Sequence, residues 1–179
     1  MAKSNSPLNN KSLLIIFAYA PAGLGHLRVT DALYHGLLKD ASSPLLLGSQ
    51  DTTITYLHRL MSINPIVRPI SDWVERGAAE DVGTSLYRYL LRSKTEVLYN
   101  QLLTIINERY TPPSKLLVIA THFGLAHQLS AIKKKLEQDL HIEMKLVVQV
   151  TDDCPHHIWH VDGADLIVVP SEKTKRNLI

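Results

Sequence analysis

Short apolar runs alternate with longer amphipathic stretches along most of this chain. Residues 13–17 form an unbroken apolar run with β-branched Ile15 and Ile16, a pattern typical of a strand buried on both faces of a parallel sheet. Leucines at helical spacing follow and predict a helix over residues 26–39. Because strands that alternate with helices indicate a doubly wound parallel sheet, we expect an α/β, Rossmann-like fold.

The same patterns predict the remaining elements. Further strands are expected over residues 44–48, 115–120, 144–150 and 166–169, and a helix over residues 124–138. Residues 84–110 predict one long helix or two helices joined near Ser93, ended by Pro112 and Pro113. Ser171 is a typical N-cap for a short final helix. Residues 50–83 carry no pattern that assigns them. Polar residues 1–11 predict a flexible leader, which leaves residues 12–179 as one domain.

Composition narrows the class of protein. The 179 residues are 45% hydrophobic, which is enough for the core of a globular domain. No apolar run approaches the ~18 residues of a transmembrane helix, and residues 1–11 lack the apolar core of a signal peptide. The single cysteine, Cys154, rules out an internal disulfide framework and suits a reducing compartment. A net charge of +2 gives no indication of nucleic-acid binding. We expect a cytoplasmic protein.

The first candidate motif is the glycine-rich turn between the first strand and the first helix. Gly23 and Gly25 stand before His26, where free amides and the helix dipole attract a phosphate or a developing oxyanion. An imidazole at such a position can accept a proton from an attacking hydroxyl. The simpler alternatives are a tight turn with glycines for backbone geometry and a histidine that caps or packs.

The second motif, residues 151–160, follows a predicted strand in the same way. Asp152 and His156 are candidates to line a pocket, and Trp159 offers an apolar plate for a sugar or a lipid or, alternatively, a core anchor. A zinc cluster is the less favoured interpretation, because adjacent histidines suit one metal poorly. Its ligands would be Cys154, His156, His157 and His160. Asp162 and Asp165 are expected to hydrogen-bond the turn before the next strand.

Three further segments carry candidate residues. His122 ends the 115–120 strand and is a second candidate for the site, or else a helix-start residue. Residues 58–92 carry five arginines among apolar side chains, a composition suited to an anionic membrane surface. The three lysines at 133–135 are expected to form an ordinary solvated face.

The sequence resembles a known family. The strand–GLGH–helix opening, the THFG segment and VTDDCPHHIWHVDGADLIVVPSEKTKRNL are similar to the N-terminal domain of GT-B glycosyltransferases of the monogalactosyldiacylglycerol synthase and diacylglycerol glucosyltransferase type. More distantly, they resemble the peptidoglycan N-acetylglucosaminyltransferase that makes lipid II. The resemblance spans residues 12–179, and its most specific part is T-D-x-x-x-H-x-x-W followed by a strand and V-P-S.

The resemblance implies that this domain is the acceptor half of a two-domain inverting enzyme, peripheral on the inner face of the membrane. His26 would be the general base, Gly23 and Gly25 would let the backbone approach the reacting groups, and Asp152 and His156 would line the acceptor side. The partners would be a lipid acceptor and a UDP-sugar, and no metal or other cofactor would be needed.

Two departures from the family pattern leave alternatives open. Leu24 stands where the family often has glycine or a polar residue, and no nucleotide-sugar domain accompanies the final helix. The chain would therefore be part of a longer enzyme or one subunit of a split glycosyltransferase. The alternative from another class is a non-catalytic α/β module that binds a lipid or a membrane surface.

Overall fold

The computed structural model describes residues 13–20, 24–37, 44–49, 80–153 and 157–178. In chain order, its strands are β1 (Leu13–Tyr19), β2 (Leu45–Gly48), β3 (Lys115–Ala120), β4 (Glu143–Gln149) and β5 (Leu166–Val168). Its helices are α1 (Leu24–Gly36), α2 (Glu80–Ser93), α3 (Glu96–Asn107), α4 (Phe123–Leu140) and α5 (Glu172–Leu178), with a 3₁₀ helix at His157–Trp159.

Within these residues, the five strands form one sheet in the order β2-β1-β3-β4-β5, and every pair is parallel. The predicted α/β class with a Rossmann-like parallel sheet is confirmed. In chain order, β2 lies on one side of β1, whereas β3, β4 and β5 follow on the other side. The strand order therefore reverses between β1 and β3. In open α/β sheets, ligands bind at the carboxyl ends of the strands at such a point of reversal.

The main core lies between one sheet face and helices α3 and α4. Leu116, Val118 and Leu146 point to this face and are at most 1% exposed. The apolar sides of α3 and α4 pack on it, which explains why their buried leucines and isoleucines recur at helical spacing. Helix α1 covers β1 on the opposite face, where Tyr34 meets Phe17 edge-on with ring centroids 6.3 Å apart.

Most predicted boundaries agree with the structure, and one shift matters for function. The 84–110 segment is two helices with a break after Ser93, and Ser171 Oγ caps α5 by accepting from Thr174 N at 3.1 Å. Helix α1 begins at Leu24 rather than at His26, so Gly25 lies in its first turn instead of before the helix. The predicted leader and most of residues 50–83 lie outside the described residues.

Charged side chains fix the far end of the sheet. The Asp165 carboxylate accepts from Leu146 N on β4 at 2.8 Å and binds Lys133 Nζ at 2.5 Å and Lys145 Nζ at 3.2 Å. It therefore ties β5 to β4 and α4 rather than closing its own turn. Lys135 Nζ lies 4.3 Å from the centre of the Tyr99 ring. Lys133 is thus structural, contrary to the expectation of a solvated face, whereas Lys134 and Lys135 are exposed as expected.

No helix among the described residues combines the length and the apolar composition that crossing a bilayer requires.

Candidate functional site

The carboxyl ends of three neighbouring strands meet around His26. The histidine lies in the first turn of α1, which follows β1, while Thr121 directly follows β3 and Thr151 lies just beyond β4. The order of the strands therefore brings together side chains that are 95 and 125 residues apart in the chain. The site lies at the point where the strand order reverses, as the two loop motifs predict.

The Thr121 carbonyl, one of two oxygen atoms beside Nδ1, fixes the tautomer of His26. Its Nδ1 lies 2.7 Å from the Thr121 carbonyl oxygen and 3.0 Å from Thr151 Oγ1. A carbonyl can only accept, so Nδ1 carries the hydrogen and donates it. In the neutral ring, the lone pair is then on Nε2. A backbone carbonyl that holds one nitrogen of an imidazole leaves the other as a positioned base.

A pair of threonines joins the start of α1 to the end of β3. Thr30 Oγ1 donates to the His26 carbonyl at 2.8 Å, one helical turn away. Its second contact, with Thr121 Oγ1 at 2.8 Å, is therefore one in which Thr121 donates. Both threonines are buried. Sequence analysis did not single out Thr30, Thr121 or Thr151, although the position of the last two immediately after strands was a usable signal.

His122 lies behind His26 rather than in the open. It is 1% exposed, and its ring centroid lies 5.0 Å from that of His26 in an edge-to-face arrangement. Its Nδ1 accepts from Gly124 N at 3.1 Å, so it is the N-cap of α4, as the helix-start alternative anticipated. A side chain at Gly124 would come within 3.0 Å of the His122 ring, which explains the glycine at that position.

Trp159 is an anchor of the second motif. Its side chain is fully buried, so its ring is not an exposed plate for a ligand. Its Nε1 donates to Asp152 Oδ2 at 2.7 Å, and its ring lies 5.6 Å from Phe123 and 6.4 Å from His26 between centroids. Trp159 therefore supports His26 from within and orients the exposed Asp152 carboxylate.

The 3₁₀ helix that carries Trp159 is held by donors from two other helices. His127 on α4 lies 2.7 Å from the Ile158 carbonyl through Nε2, which must therefore carry the hydrogen, and Arg88 on α2 donates to the His157 carbonyl. Burial lowers the pKa of His127 to about 4, although its hydrogen bond to Ile158 acts in the opposite direction. Sequence analysis missed His127, which has no distinguishing neighbours on the chain.

The backbone beside Gly25 is open. A Cβ at this position would meet nothing within 4 Å, so no contact in the described residues requires glycine there. The first amides of α1 have no acceptor within their own helix, and they present partial positive charge to the same edge of the sheet. An anion or a polarised hydroxyl can approach them next to His26.

Two predicted site residues, Gly23 and His156, lie outside the described residues, as does Cys154 of the zinc alternative. Within the described part of the chain, no group of three histidine, cysteine, aspartate or glutamate side chains is arranged to hold a metal ion. The geometry that the structure supplies is that of a base beside a group of backbone donors.

Comparison of this chain with protein-family models, with curated proteins and with solved structures finds no match.

Proposed function

We propose that this chain is the acceptor-binding half of an inverting glycosyltransferase that moves a hexose from a UDP-sugar to diacylglycerol or a related lipid. The observation that carries the proposal is the hydrogen bond from His26 Nδ1 to the Thr121 carbonyl, which makes Nε2 the basic nitrogen at the carboxyl edge of the sheet. The resemblance of the GLGH and TDDCPHHIW segments to lipid glycosyltransferases supplies the reaction class.

In this mechanism, His26 Nε2 accepts the proton of the acceptor hydroxyl as its oxygen attacks the anomeric carbon. A new carbon–oxygen bond forms while the bond to the UDP phosphate breaks, so the anomeric carbon inverts and UDP leaves with the electron pair. The Thr121 carbonyl stabilises the imidazolium that results, because Nδ1–H already points at it. The open backbone at Gly25 lets the acceptor approach, and Asp152 lines the same side.

The donor is bound by a nucleotide-sugar domain, in the same protein or in a separate subunit, that faces this edge of the sheet. The enzyme works as a peripheral protein on the cytoplasmic face of the membrane, where its lipid acceptor resides. Neither a metal nor another cofactor takes part in this proposal, in line with the resemblance.

The decisive experiment is sugar transfer to diacylglycerol by the chain joined to, or mixed with, a donor-binding domain. His26→Ala should lower kcat by about 10²–10⁴, the usual contribution of a positioned general base. His35→Ala is the matched control, because it removes an exposed imidazole from the same helix. Near-normal turnover by the His26 variant would refute the catalytic assignment.

The Gly25→Ala variant tests whether the acceptor approaches the backbone at this position, without destabilising the fold. Alanine has the higher helix propensity and nothing obstructs its methyl group, so the free energy of unfolding should stay the same or rise slightly. If the acceptor approaches the backbone here, the same variant should raise the KM for the lipid. A variant with unchanged kinetics would leave Gly25 with no part in the site.

The isolated chain should bind UDP-sugars weakly or not at all, since the uridine contacts belong to the donor domain. Calorimetry with UDP-glucose and UDP-galactose tests this. A micromolar dissociation constant, which corresponds to a binding free energy of roughly −8 kcal/mol, would contradict the assignment of donor binding to a separate domain.

A non-catalytic module that binds a membrane surface is the second candidate, and the outer face of α2 favours it. Leu86, Tyr89 and Leu90 lie at helical spacing and are all exposed. Arg88 and Arg92 do not extend this surface, because they bind the His157 carbonyl and Asp162 Oδ2. Sedimentation with anionic and neutral vesicles at two salt concentrations tests the electrostatic contribution to membrane binding. Equal binding to both kinds of vesicle would show that there is no such contribution.

A further inference from the structure

The second motif supplies His26 with a hydrogen-bond partner from a side chain. Thr151 Oγ1 lies 3.0 Å from His26 Nδ1, next to the Thr121 carbonyl at 2.7 Å. The carbonyl belongs to the main chain and is present with any residue at position 121. The hydroxyl, in contrast, depends on the residue type at position 151. The Thr151 contact is therefore the one that a substitution can remove.

The direction of the Thr151 contact follows from the bond to Thr121. Nδ1 carries one hydrogen, which it donates to the Thr121 carbonyl. A nitrogen that carries a hydrogen has no lone pair to offer in the ring plane, so Thr151 Oγ1 accepts as well. The two oxygens share the hydrogen in a three-centre bond. Both stabilise the positive charge that the ring gains when Nε2 takes up a proton, because hydrogen bonds from a charged donor are the stronger ones.

The chain is anchored on both sides of Thr151. Val150 N donates to the Val168 carbonyl at 2.8 Å, which ties the preceding residue to β5. On the other side, Asp152 Oδ2 accepts from the buried Trp159 Nε1 at 2.7 Å. The Thr151 side chain between these anchors is partly buried. The hydroxyl is thus held in place by contacts that do not involve the imidazole, as a positioning group requires.

Two acceptors hold the imidazole more firmly than one. The His26 ring packs against His122 and Trp159, with centroids 5.0 Å and 6.4 Å away, but apolar packing does not distinguish the nitrogen edge of a ring from its carbon edge. Half a turn of the ring would put a carbon in the place of Nδ1 and break both hydrogen bonds. Without the Thr151 hydroxyl, only the Thr121 carbonyl would oppose this rotation.

We propose that Thr151 is a positioning residue for His26. Its hydroxyl accepts from Nδ1–H, keeps Nε2 turned towards the acceptor hydroxyl and supports the imidazolium that forms during transfer. This inference rests on the proposed function, because it takes His26 as the base. It adds that the second motif orients the base and does not only line the acceptor side.

Sugar transfer to diacylglycerol by the chain together with a donor-binding domain tests the role of Thr151. Thr151→Val keeps the branched shape of the side chain and removes the hydroxyl. It should lower kcat by roughly tenfold, the effect of about one hydrogen bond to a charged group, with an unchanged KM for the lipid. Thr151→Ser keeps the oxygen and should recover most of the loss. Thr104→Val is the matched control, because it removes an exposed threonine hydroxyl on α3 that donates to the Asn100 carbonyl.

Long-range ¹H–¹⁵N spectra of the chain alone give a readout that needs no turnover. At pH 8, where imidazoles are neutral, they show which ring nitrogen carries the hydrogen, and comparison with His26→Ala identifies the His26 signals. The Nδ1–H tautomer should dominate in the wild-type chain. Thr151→Val should raise the fraction of the Nε2–H tautomer by roughly threefold or more, since the Nδ1–H form loses an acceptor. Thr151→Ser and Thr104→Val should resemble the wild-type chain.

Three results would overturn the inference. Thr151→Val could match Thr104→Val in both kcat and spectra. It could raise KM with kcat unchanged, which would make Thr151 a substrate contact. Thr151→Ser could fail to restore kcat, which would assign the loss to packing. In each case a large loss of turnover in His26→Ala would leave the proposed function standing, whereas normal turnover in that variant would refute the proposed function and the inference together.

Discussion

Two histidines of this protein are each bound to a backbone carbonyl at 2.7 Å, yet they can do very different things. His26 binds the Thr121 carbonyl through Nδ1 and is only partly buried at the carboxyl edge of the sheet. His127 binds the Ile158 carbonyl through Nε2 and is fully buried between α4 and the 3₁₀ helix. Its other nitrogen, Nδ1, has no hydrogen-bond partner among the described residues.

The comparison shows that the same kind of hydrogen bond can serve two roles. The solvent exposure of the histidine ring decides which role it serves. At His26, the bond orients a ring that is only partly buried. At His127, the same kind of bond locks a loop, and burial keeps the ring neutral by lowering its pKa to about 4. We expect the first histidine to serve the reaction and the second to serve stability.

The strongest test of this division compares the stability of the two alanine variants. His127→Ala should lower the free energy of unfolding by about 3 kcal/mol, because it leaves a cavity and an unpaired Ile158 carbonyl. His26→Ala also removes the partner of a carbonyl, that of Thr121, but its ring is only partly buried, so it should cost less, about 1–2 kcal/mol. Urea denaturation measures both, with His35→Ala as a control for an exposed histidine. The reverse order of the two values would break the comparison.

The pH dependence of stability gives a second test of the difference between His26 and His127. In the unfolded chain His127 titrates near its ordinary pKa of 6.5, whereas in the fold its pKa is about 4. The unfolded state therefore binds more protons between these values, and stability should fall as pH decreases through this window, by up to about 3 kcal/mol. Above pH 6.5 the contribution is complete.

Urea denaturation of the wild-type chain and of His127→Gln, at pH 7 and pH 4.5, measures this effect. Glutamine keeps a donor for the Ile158 carbonyl but does not titrate, so most of the difference between the two pH values should disappear. An unchanged difference would assign the effect to other groups.

Asp165 offers a carboxylate counterpart with its own pH window. Burial disfavours the charge of Asp165, but hydrogen bonds from Lys133, Leu146 N and Lys145 outweigh it and lower the pKa to about 2. The stabilisation is complete above the ordinary pKa of 3.8 and is lost as pH falls towards 2. Because the side chain is 27% exposed, we expect only about 1 kcal/mol from it. Asp165→Asn should remove the acid-sensitive part of stability in this range and leave the His127 window intact.

The smallest effect is expected from the ion pair beside His127. Arg92 Nη2 lies 3.0 Å from Asp162 Oδ2, but the carboxylate is 64% exposed. A double-mutant cycle with Arg92→Ala and Asp162→Ala should give a coupling energy below about 1 kcal/mol, as is usual for surface pairs. A coupling of several kcal/mol would show that this pair, rather than His127, holds the 3₁₀ helix.

Sequence patterns predicted the sheet because burial on both faces demands continuous apolar runs. The run at residues 13–17 and the later strands agree with the structure within about two residues, and the break after Ser93 matches one of the two alternatives that the sequence left open. The start of α1 was placed two residues late, because glycine is a poor signal of a helix interior although Gly25 is in the first turn.

The candidate site was only half predicted by sequence. His26 and the two loop motifs follow strands, and parallel strands place their carboxyl ends at one edge, so their proximity could be inferred from the chain. The sequence could not give the tautomer of His26, because its two hydrogen-bond partners come from residues 95 and 125 positions away. Nor could it distinguish the exposed Asp152 from the buried Trp159, since both suit a ligand by residue type.

The sequence by itself determined the alternation of strands and helices, and with it the edge at which a site would form. Only the tertiary structure decided that His127 is buried while His26 is partly exposed, and that Trp159 packs inside the fold. Periodicity is a local property of the chain, whereas exposure and hydrogen-bond partners depend on how distant segments pack against each other.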